Sequence, residues 1–408
     1  MNTLYVGIDV SCKSNVVYLM LPNDDKHSSF SVANSHEGSA QLVKRIHSAL
    51  TSHSLDTVFI GLEATNVYGD NLVYFLREDA TLAPFNRKIH VLNPKQVKKF
   101  HDTYNDPPKN DYVDSFVIAD CLRFGRINKE VYWGDYRYKA LQNLTRARYF
   151  AVQNLMKEKQ RFINVLFKTY STMTQEKVFS DTFSTTALAV YDEFESAEAL
   201  ANMDLHELTG FIIEKGKNRF PDPDAAAKAI QKAARSSYRL PKTINDSVNQ
   251  VLPISITSMK ALGAQIKEFD KAIKAQMELL PNVLVSIPGI GPAYSAGIMA
   301  EIGDINRFDN QAALAKYAGL AWKQYQSGGF EAEVARLIPS GNRFLKHYLC
   351  EAAFSLVRCD KEYSDFYHLK YKEVNRCQHK RALALTARKF VRLVFRLLKD
   401  NRLYQAAE

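Results

Sequence analysis

Residues 4–21, LYVGIDVSCKSNVVYLML, decide the fold of the first part of the chain. They form two apolar, β-branched runs joined by the polar turn SCKS, a pattern typical of a β-hairpin. Asp9 lies inside the first run, between Ile8 and Val10, where strand propensity disfavours a carboxylate. An acid at such a position is expected to serve a function.

The segments after this hairpin alternate between strand and helix signals. A third strand is predicted over residues 28–35, followed by a helix over 37–52, a strand over 56–64, a helix over 68–79, a strand over 88–94 and a helix from Asp111. Three strands, then helix, strand, helix, strand and helix, is the element order of a ribonuclease H-like domain. We therefore predict an α/β domain of this type over residues 1–130.

Four acids in this domain are candidates for a common site. Besides Asp9 inside the first strand, Glu63 follows the apolar run TVFIGL at the end of the fourth strand, and Asp111 and Asp114 share one face at a helix start. Each has an ordinary alternative: Asp111 could cap the helix, Glu63 could begin a loop, and Asp114 could be solvated. A ribonuclease H-like fold, however, brings strand ends and a late helix to one point.

Converging carboxylates repel one another unless cations are bound, and such hard oxygen ligands favour Mg²⁺ or Mn²⁺. Two ions of this kind hold a scissile phosphate, activate the attacking oxygen and stabilise the leaving one. The four acids therefore predict phosphodiester chemistry.

The middle of the chain is predicted to be helical. Apolar residues recur at helical spacing over residues 136–170, which predicts a rod that packs as a coiled-coil-like pair or a dimer arm. Residues 172–241 are predicted to be a helical insert without identifiable chemistry, and an amphipathic helix over 254–280 leads to a mainly α C-terminal domain. We assign the helical region to residues 131–280 and the C-terminal domain to 281–408.

The C-terminal domain carries two candidate nucleic-acid contacts. Its motif IPGIGP is similar to a helix-hairpin-helix, in which glycines such as Gly289 and Gly291 let backbone N–H groups approach a phosphate, although a tight interhelical turn is an equal explanation. In the last helix five basic residues lie along one stripe, where their mutual repulsion lowers stability unless an anion neutralises it. They are Arg381, Arg388, Arg392, Arg396 and Lys399.

Composition fits a nucleic-acid partner. The chain of 408 residues has a formal net charge of +10, with nine Lys or Arg and only two acids among residues 376–408. Its five cysteines form no CxxC pair, and no apolar run reaches the length of a membrane span. We expect a cytoplasmic protein, associated with the nucleoid when it acts.

Five motifs in order resemble one family: YVGIDVSCKSNVVYL, FIGLEATNVYG, KNDYVDSFVIADCLRFGR, SIPGIGPAYSAGIMAEIGDINRF and YAGLAWKQYQSGGF. They are similar to the motifs of the DEDD transposases of IS110-type insertion sequences, which are relatives of the Piv DNA invertases. The resemblance implies a RuvC-like N-terminal domain with Asp9, Glu63, Asp111 and Asp114 as its metal-binding tetrad. It also implies a nucleophilic serine, matched by Ser327 in QSGGF, and a noncoding bridge RNA that selects the sites.

On the residues alone, Ser327 is better explained as a turn residue, because Ser-Gly marks turns; the resemblance reverses that preference. Its nearest competitor is Ser340, also followed by glycine. We assign that second turn, SGNR, to phosphate contact through Asn342, Arg343 and Lys346.

The predicted protein is a mobile-element recombinase that cuts and rejoins DNA at element ends and at a target through a serine–DNA link, acting as a homodimer or tetramer. One alternative is a RuvC-like Holliday-junction resolvase or nuclease that uses the same acids with water as nucleophile. A non-catalytic nucleic-acid-binding protein is a further alternative, against which the intact set of acids argues.

Overall fold

The structure, a computed structural model, describes residues 2–64, 67–104, 110–125, 135–176, 178–217, 220–322, 326–327, 330–331 and 337–405. The chain divides into two compact units, Met1–Trp133 and Gly134–Glu408. Within the described ranges, the helices are all too short or too polar to cross a membrane.

The first unit contains a mixed five-stranded sheet in the order β3-β2-β1-β4-β5. The strands are β1 (Thr3–Val10), β2 (Ser14–Met20), β3 (Lys26–Ala33), β4 (Thr57–Glu63) and β5 (Asn86–Leu92). Strand β2 is antiparallel to β1 and β3, whereas β4 is parallel to β1 and β5. This strand order fits the ribonuclease H-like fold that the sequence predicted.

Four helices cover the sheet: α1 (His36–Ser52), α2 (Asp70–Glu78), α3 (Pro94–His101) and α4 (Asp111–Arg123). Alternate residues of β1, such as Val6 and Ile8, face the core shared with α1 and α2. The other face of the sheet packs against α4. Helix α3 was not predicted, although Pro94 in its first turn and the cap from Asn93 to the Lys95 N–H are ordinary helix-start signals.

Two glycines let α4 lie close to the sheet, Gly7 against its backbone and Gly61 against its side chains. Gly7 of β1 lies opposite Gly61 of β4 in the parallel register. A Cβ added at Gly7 would lie 2.0 Å from the carbonyl oxygen of Ser115 and 2.5 Å from the amide nitrogen of Ala119. One added at Gly61 would lie 2.8 Å from Cδ1 of Leu122. At Gly7 only glycine permits this approach of the α4 backbone, which places the first turn of α4 beside the ends of β1 and β4.

The second unit is mainly helical. Its helices are α5 (Tyr136–Thr169), α6 (Ser171–Gln175), α7 (Thr185–Glu193), α8 (Ala197–Asn202), α9 (Leu205–Gly216), α10 (Pro223–Ser236), α11 (Lys242–Met277), α12 (Pro292–Ile302), α13 (Gln311–Tyr317), α14 (Arg343–Cys359), α15 (Lys361–Lys372) and α16 (Gln378–Asp400). A short strand pair, β6 (Gln326–Ser327) and β7 (Phe330–Glu331), lies between α13 and α14.

Helices α5 and α11 lie side by side. Arg148 Nε is 2.6 Å from an Asp270 oxygen, and the Ser255 hydroxyl donates to Glu158 over 2.8 Å, so the two helices run antiparallel. The long rod therefore packs on a helix of its own chain. Helix α11 starts at Lys242, twelve residues before the predicted start at 254, and it continues through Pro253. The coiled-coil character of this pair stays a prediction.

Buried side chains of the second unit form two large groups in its described part. One group packs the helices of the predicted insert, α6 through α10, against α5 and α11. Phe162 and Tyr170 are fully buried in it. The other surrounds Tyr348 and Phe390 of the C-terminal helices and includes Leu141 of α5. The predicted boundary between residues 280 and 281 remains a prediction.

We expect Gly7→Ala to lower the free energy of unfolding of the first unit by about 3 kcal/mol or more, because the new methyl group meets backbone atoms of α4. The matched control is Gly263→Ala in α11, where an added Cβ meets no atom within 4 Å. That control should be neutral or stabilising by about 0.5–1 kcal/mol. Denaturant unfolding followed by circular dichroism measures both, and equal midpoints for the two variants would contradict the close approach.

Candidate active site

The ends of two neighbouring strands supply two acids of the site. Asp9 is the second-last residue of β1, and Glu63 is the last residue of β4. The strands are parallel and Ile8 lies opposite Leu62. The residues that follow, Asp9 and Glu63, therefore lie at the same end of the sheet. By strand alternation both acids point to the face that carries Gly7 and the helix α4.

The first turn of α4 supplies the other two acids. The Asn110 side chain caps this helix by accepting a hydrogen bond from the Val113 N–H over 2.9 Å. Asn110, and not Asp111 or Asp114, is therefore the capping residue. Asp9, Asp111 and Asp114 each place one carboxylate oxygen within 4.8 Å of the others. Glu63 lies outside this group of three, on the adjoining strand end. The structure thus brings three of the predicted acids together and places the fourth beside them.

Burial and mutual repulsion disfavour the charged forms of the strand acids. Burial, followed by the charges of Asp111, Asp114 and Glu63, raises the pKa of Asp9 from 3.8 to about 6. Burial and the charge of Asp114 also raise the pKa of Glu63. A cation bound among these oxygens would reverse both effects. The donor set is all oxygen and the charge is concentrated, so the residues fit a divalent metal.

Metal-free protein is expected to lose stability as Asp9 ionises. Its pKa in the folded chain lies above the ordinary value, so its favourable contribution is complete below pH 3.8 and disappears as the pH rises through about 6. The full effect would be about 3 kcal/mol, and solvent screening lowers it to about 1–2 kcal/mol. In EDTA, Asp9→Asn should match the wild type near pH 4 and exceed its free energy of unfolding near pH 7. A difference that does not vary with pH would contradict this.

A histidine that the sequence analysis did not include lies next to these acids. Nε2 of His101, the last residue of α3, is 3.9 Å from Oδ1 of Asp114. The sequence signal for it was the unassigned helix start at Pro94. Another acid of α4, Asp120, belongs to a separate network, because it accepts from the Tyr104 hydroxyl and pairs with Arg123 at 2.7 Å. Asp120 therefore stabilises the fold and is not part of the acid group.

Ser327 lies at the end of β6, where it is paired with Phe330 of β7. A bridge between Trp322 and Leu337 and a hydrogen bond from the Ile338 N–H to the Ala321 oxygen, 2.9 Å long, close the base of this segment. The two glycines that follow it, Gly328 and Gly329, lie outside the described residues. The nucleophilic role of Ser327 stays a prediction.

The SGNR turn leads into α14. The Asn342 side chain caps this helix by accepting from the N–H groups of Phe344 and Leu345, and its own N–H group donates to buried Glu301 over 2.7 Å. Arg146 binds the same carboxylate through two nitrogens at 2.7 and 2.8 Å. Asn342 thus has a structural role whether or not it also contacts phosphate.

The other two residues assigned to this turn lie in the first turn of α14. The Arg343 guanidinium is exposed and lies over the Phe344 ring at 4.7 Å, and Lys346 is half-buried. Their phosphate contacts stay predictions.

The glycine motif before α12 has two different glycines. Gly289 has φ +79°, and a Cβ there would lie 2.8 Å from Sγ of Cys359, so packing on α14 explains it. Gly291 begins α12 without a side-chain cap, and a Cβ there would meet no atom within 4 Å. Both border a cavity of about 680 Å³ that Arg148 and His347 also line. A three-residue 3₁₀ turn, Leu284–Ser286, takes the place of a first helix, and the helix-hairpin-helix assignment remains a prediction.

The basic stripe of α16 is partly paired. Arg381 donates to Glu373, Arg388 to Gln311 and Lys399 to Asn306, at 2.7 to 2.8 Å. Arg392 and Arg396 are exposed, and Arg396 lies 3.8 Å from Asp400. The part of this stripe most available to a nucleic acid is therefore Arg392 and Arg396.

Comparison with known proteins identifies relatives in both halves of the chain. A family model of DEDD transposases of the IS110 type matches residues 6–171, and a model of transposases of the IS116/IS110/IS902 family matches residues 282–368. The chain is 26% identical over 339 residues to the insertion element IS116 uncharacterized 44.8 kDa protein of Streptomyces clavuligerus, covering 80% of each chain. It is 27% identical over 225 residues to the insertion element IS110 uncharacterized 43.6 kDa protein of Streptomyces coelicolor, covering 49% of this chain and 54% of that protein.

Among solved structures, RuvC of T. thermophilus in complex with a Holliday junction substrate matches with a TM-score of 0.24 and 14% identity, over 32% of this chain and 99% of that one. The strand order of the first unit is what supports the fold assignment.

Both family models describe one class, the transposases, and both of these relatives are proteins of insertion elements. Within that class, the chain belongs to the IS110 family, as its five motifs predicted.

Proposed function

We propose that this transposase cuts and rejoins DNA at the ends of its insertion sequence and at a target through a covalent Ser327–DNA intermediate. Asp9, Glu63, Asp111 and Asp114 act with it by holding Mg²⁺ or Mn²⁺ at the scissile phosphate. The observation that carries the proposal is that Asp9, Asp111 and Asp114 each place a carboxylate oxygen within 4.8 Å of the others, beside the strand end that carries Glu63.

Bound divalent ions would supply charge stabilisation at the scissile phosphate and its leaving oxygen. The chain supplies the positions of the ligands. Asp9 is fixed by its strand, and Asp111 and Asp114 are fixed by a helix start that Asn110 caps. The contact of α4 with Gly7 sets the separation between strand and helix acids.

The covalent step exchanges one phosphoester bond for another. The Ser327 oxygen forms a bond to phosphorus and loses its proton, while the bond from phosphorus to a deoxyribose oxygen breaks and that oxygen gains a proton. A deoxyribose hydroxyl of the exchange partner later attacks the phosphoserine and releases the serine. Bond energy is conserved, so rejoining needs no external energy source.

Guidance by a bridge RNA and assembly from several copies are further parts of the proposal. Exposed Arg392 and Arg396, and the open backbone at Gly291, are surfaces on which nucleic-acid phosphates would bind. Exposed Ile244, Val251 and Ile254 follow one stripe of α11 and support a contact between copies in a dimer or tetramer. Base pairing of the RNA would then select the sequence.

The alternative is a RuvC-like resolvase or nuclease in which water attacks. One fact favours it: the acid group lies wholly within the first unit, whereas Ser327 belongs to the second. A denaturing gel separates the two reactions. Purified protein is incubated with the noncoding RNA encoded beside it, labelled element-end and target DNA, and Mg²⁺. A covalent protein–DNA adduct supports the serine mechanism, and cutting without an adduct supports attack by water.

A further inference from the structure

The exposed face of α3 is strongly basic. Its sequence, PKQVKKFH, has three lysines and no acid. Val97 and Phe100 pack with residues of α4, which turns Lys95, Lys98 and Lys99 outward, where all three are exposed. We call these three lysines the α3 basic face.

The helix that carries the α3 basic face runs beside the acid group. It begins directly after β5, and the last residue of that strand, Leu92, lies opposite Glu63. It ends at His101, whose ring nitrogen is 3.9 Å from Asp114. One end of α3 therefore adjoins the strand edge of the site, and the other end adjoins the helix that carries the remaining acids.

The charges of the α3 basic face are not paired within the described part of the chain. Among the described residues, the side chains of its three lysines make no hydrogen bond and no ion pair. Several other lysines have acidic neighbours: Lys215 with Glu214, Lys271 with Glu268, Lys370 with Glu373, and Lys389 with Glu362. Like charges three and four residues apart on a helix repel one another, so three unpaired lysines here cost stability unless an anion is present.

We propose that the α3 basic face binds phosphates of the DNA strand that flanks the scissile phosphate, and so feeds that strand to the acid group. This inference rests on the proposed function. The helix has eight residues and is about 12 Å long, a length over which one strand of duplex DNA presents about three to four phosphates. The charge, the length and the adjoining position all suit a DNA backbone next to its cutting point.

The test is the salt dependence of DNA binding by the full chain. Lys95→Gln, Lys98→Gln and Lys99→Gln are combined in one variant, and affinity for a labelled DNA duplex is measured between about 50 and 200 mM salt. The slope of log affinity against log salt is negative, and loss of three phosphate contacts should reduce its magnitude by about two to three. The single variant Lys98→Gln should lower it by about one.

The matched control combines Lys228→Gln, Lys232→Gln and Lys242→Gln, which are exposed on the helical region and remove the same total charge. The control should leave the slope unchanged. Because all these side chains are exposed, each variant should unfold near the wild-type temperature, and thermal unfolding checks this.

Equal slopes for the α3 variant and the wild type overturn this inference, and wild-type cutting in the same preparation shows that the proposed function survives. A wild type that neither binds nor cuts DNA overturns both. An α3 variant that binds the neighbouring noncoding RNA less tightly but DNA unchanged also overturns the inference, because the surface then serves RNA. A lowered slope for the α3 variant alone supports it.

Discussion

Ser327→Ala should abolish the covalent protein–DNA adduct and reduce strand exchange by at least about 10³-fold, the scale on which removal of a nucleophile acts. The serine oxygen is the atom that forms the bond to phosphorus in the proposed reaction, and alanine offers no replacement for it. The measurement is the denaturing gel with wild-type and variant protein, followed by protease digestion of the shifted band to show that it contains peptide.

Ser340→Ala is the matched control for this variant. Ser340 is also followed by a glycine and lies in an exposed turn before α14. Its replacement should leave the adduct at the wild-type level. If Ser327→Ala forms the adduct as well as the wild type does, Ser327 is a turn residue. Cutting without any adduct in either protein would transfer the reaction to water and favour the resolvase alternative.

Asp9→Asn should reduce DNA cutting by about 10³-fold or more while DNA affinity changes only a few-fold. Asp9 contributes an oxygen to the group of three carboxylates, and burial together with the neighbouring acids raises its pKa to about 6. An amide loses the negative charge that a divalent ion needs, and several kcal/mol of transition-state stabilisation are lost with it. Cutting is measured on labelled DNA, and binding is measured on the same DNA in a separate titration.

Asp56→Asn is the matched control, because Asp56 is exposed just before β4 and its carboxylate accepts from the neighbouring Thr57 hydroxyl. This control should cut at the wild-type rate, and EDTA should stop wild type and control alike. Persistence of cutting in Asp9→Asn would show that the four acids are not the cutting centre. A loss of binding together with cutting would assign Asp9 to DNA recognition.

The strand acids could be selected from the sequence because each lies in or directly after an apolar run, and the structure brings Asp9 together with two acids of α4. Asp9 lies inside such a run, one residue before its strand ends, and Glu63 follows one, and the element order predicts that the two strand ends lie together. Asp111 and Asp114 followed from helix periodicity. Their distances could not be predicted, since these depend on how closely α4 approaches Gly7, a contact between residues more than a hundred positions apart.

Some helices and side-chain contacts could not be predicted, because the contacting residues are distant in the sequence or the helical pattern is too short. Helix α3 has only eight residues, and its two apolar residues make a weak periodic pattern. His101 was missed with it. Asn342 was predicted as a phosphate contact from its turn, but its amide donates to Glu301, which is 41 residues away and buried in another helix. The pairing of Arg388 with Gln311 depends likewise on tertiary structure.

The paired glycines of β1 and β4 also bear on how such a protein can change over generations. The approach of α4 to the sheet brings its main-chain atoms against Gly7, whereas Gly61 is met by the side chains of Leu122 and Ile118. Most buried positions can therefore exchange one aliphatic residue for another, at a cost in stability, without moving the carboxylates. Substitutions over generations should therefore be tolerated across much of the core, and at Gly61 where Leu122 can shift, but not at Gly7, so the chemistry can outlast most of the sequence around it.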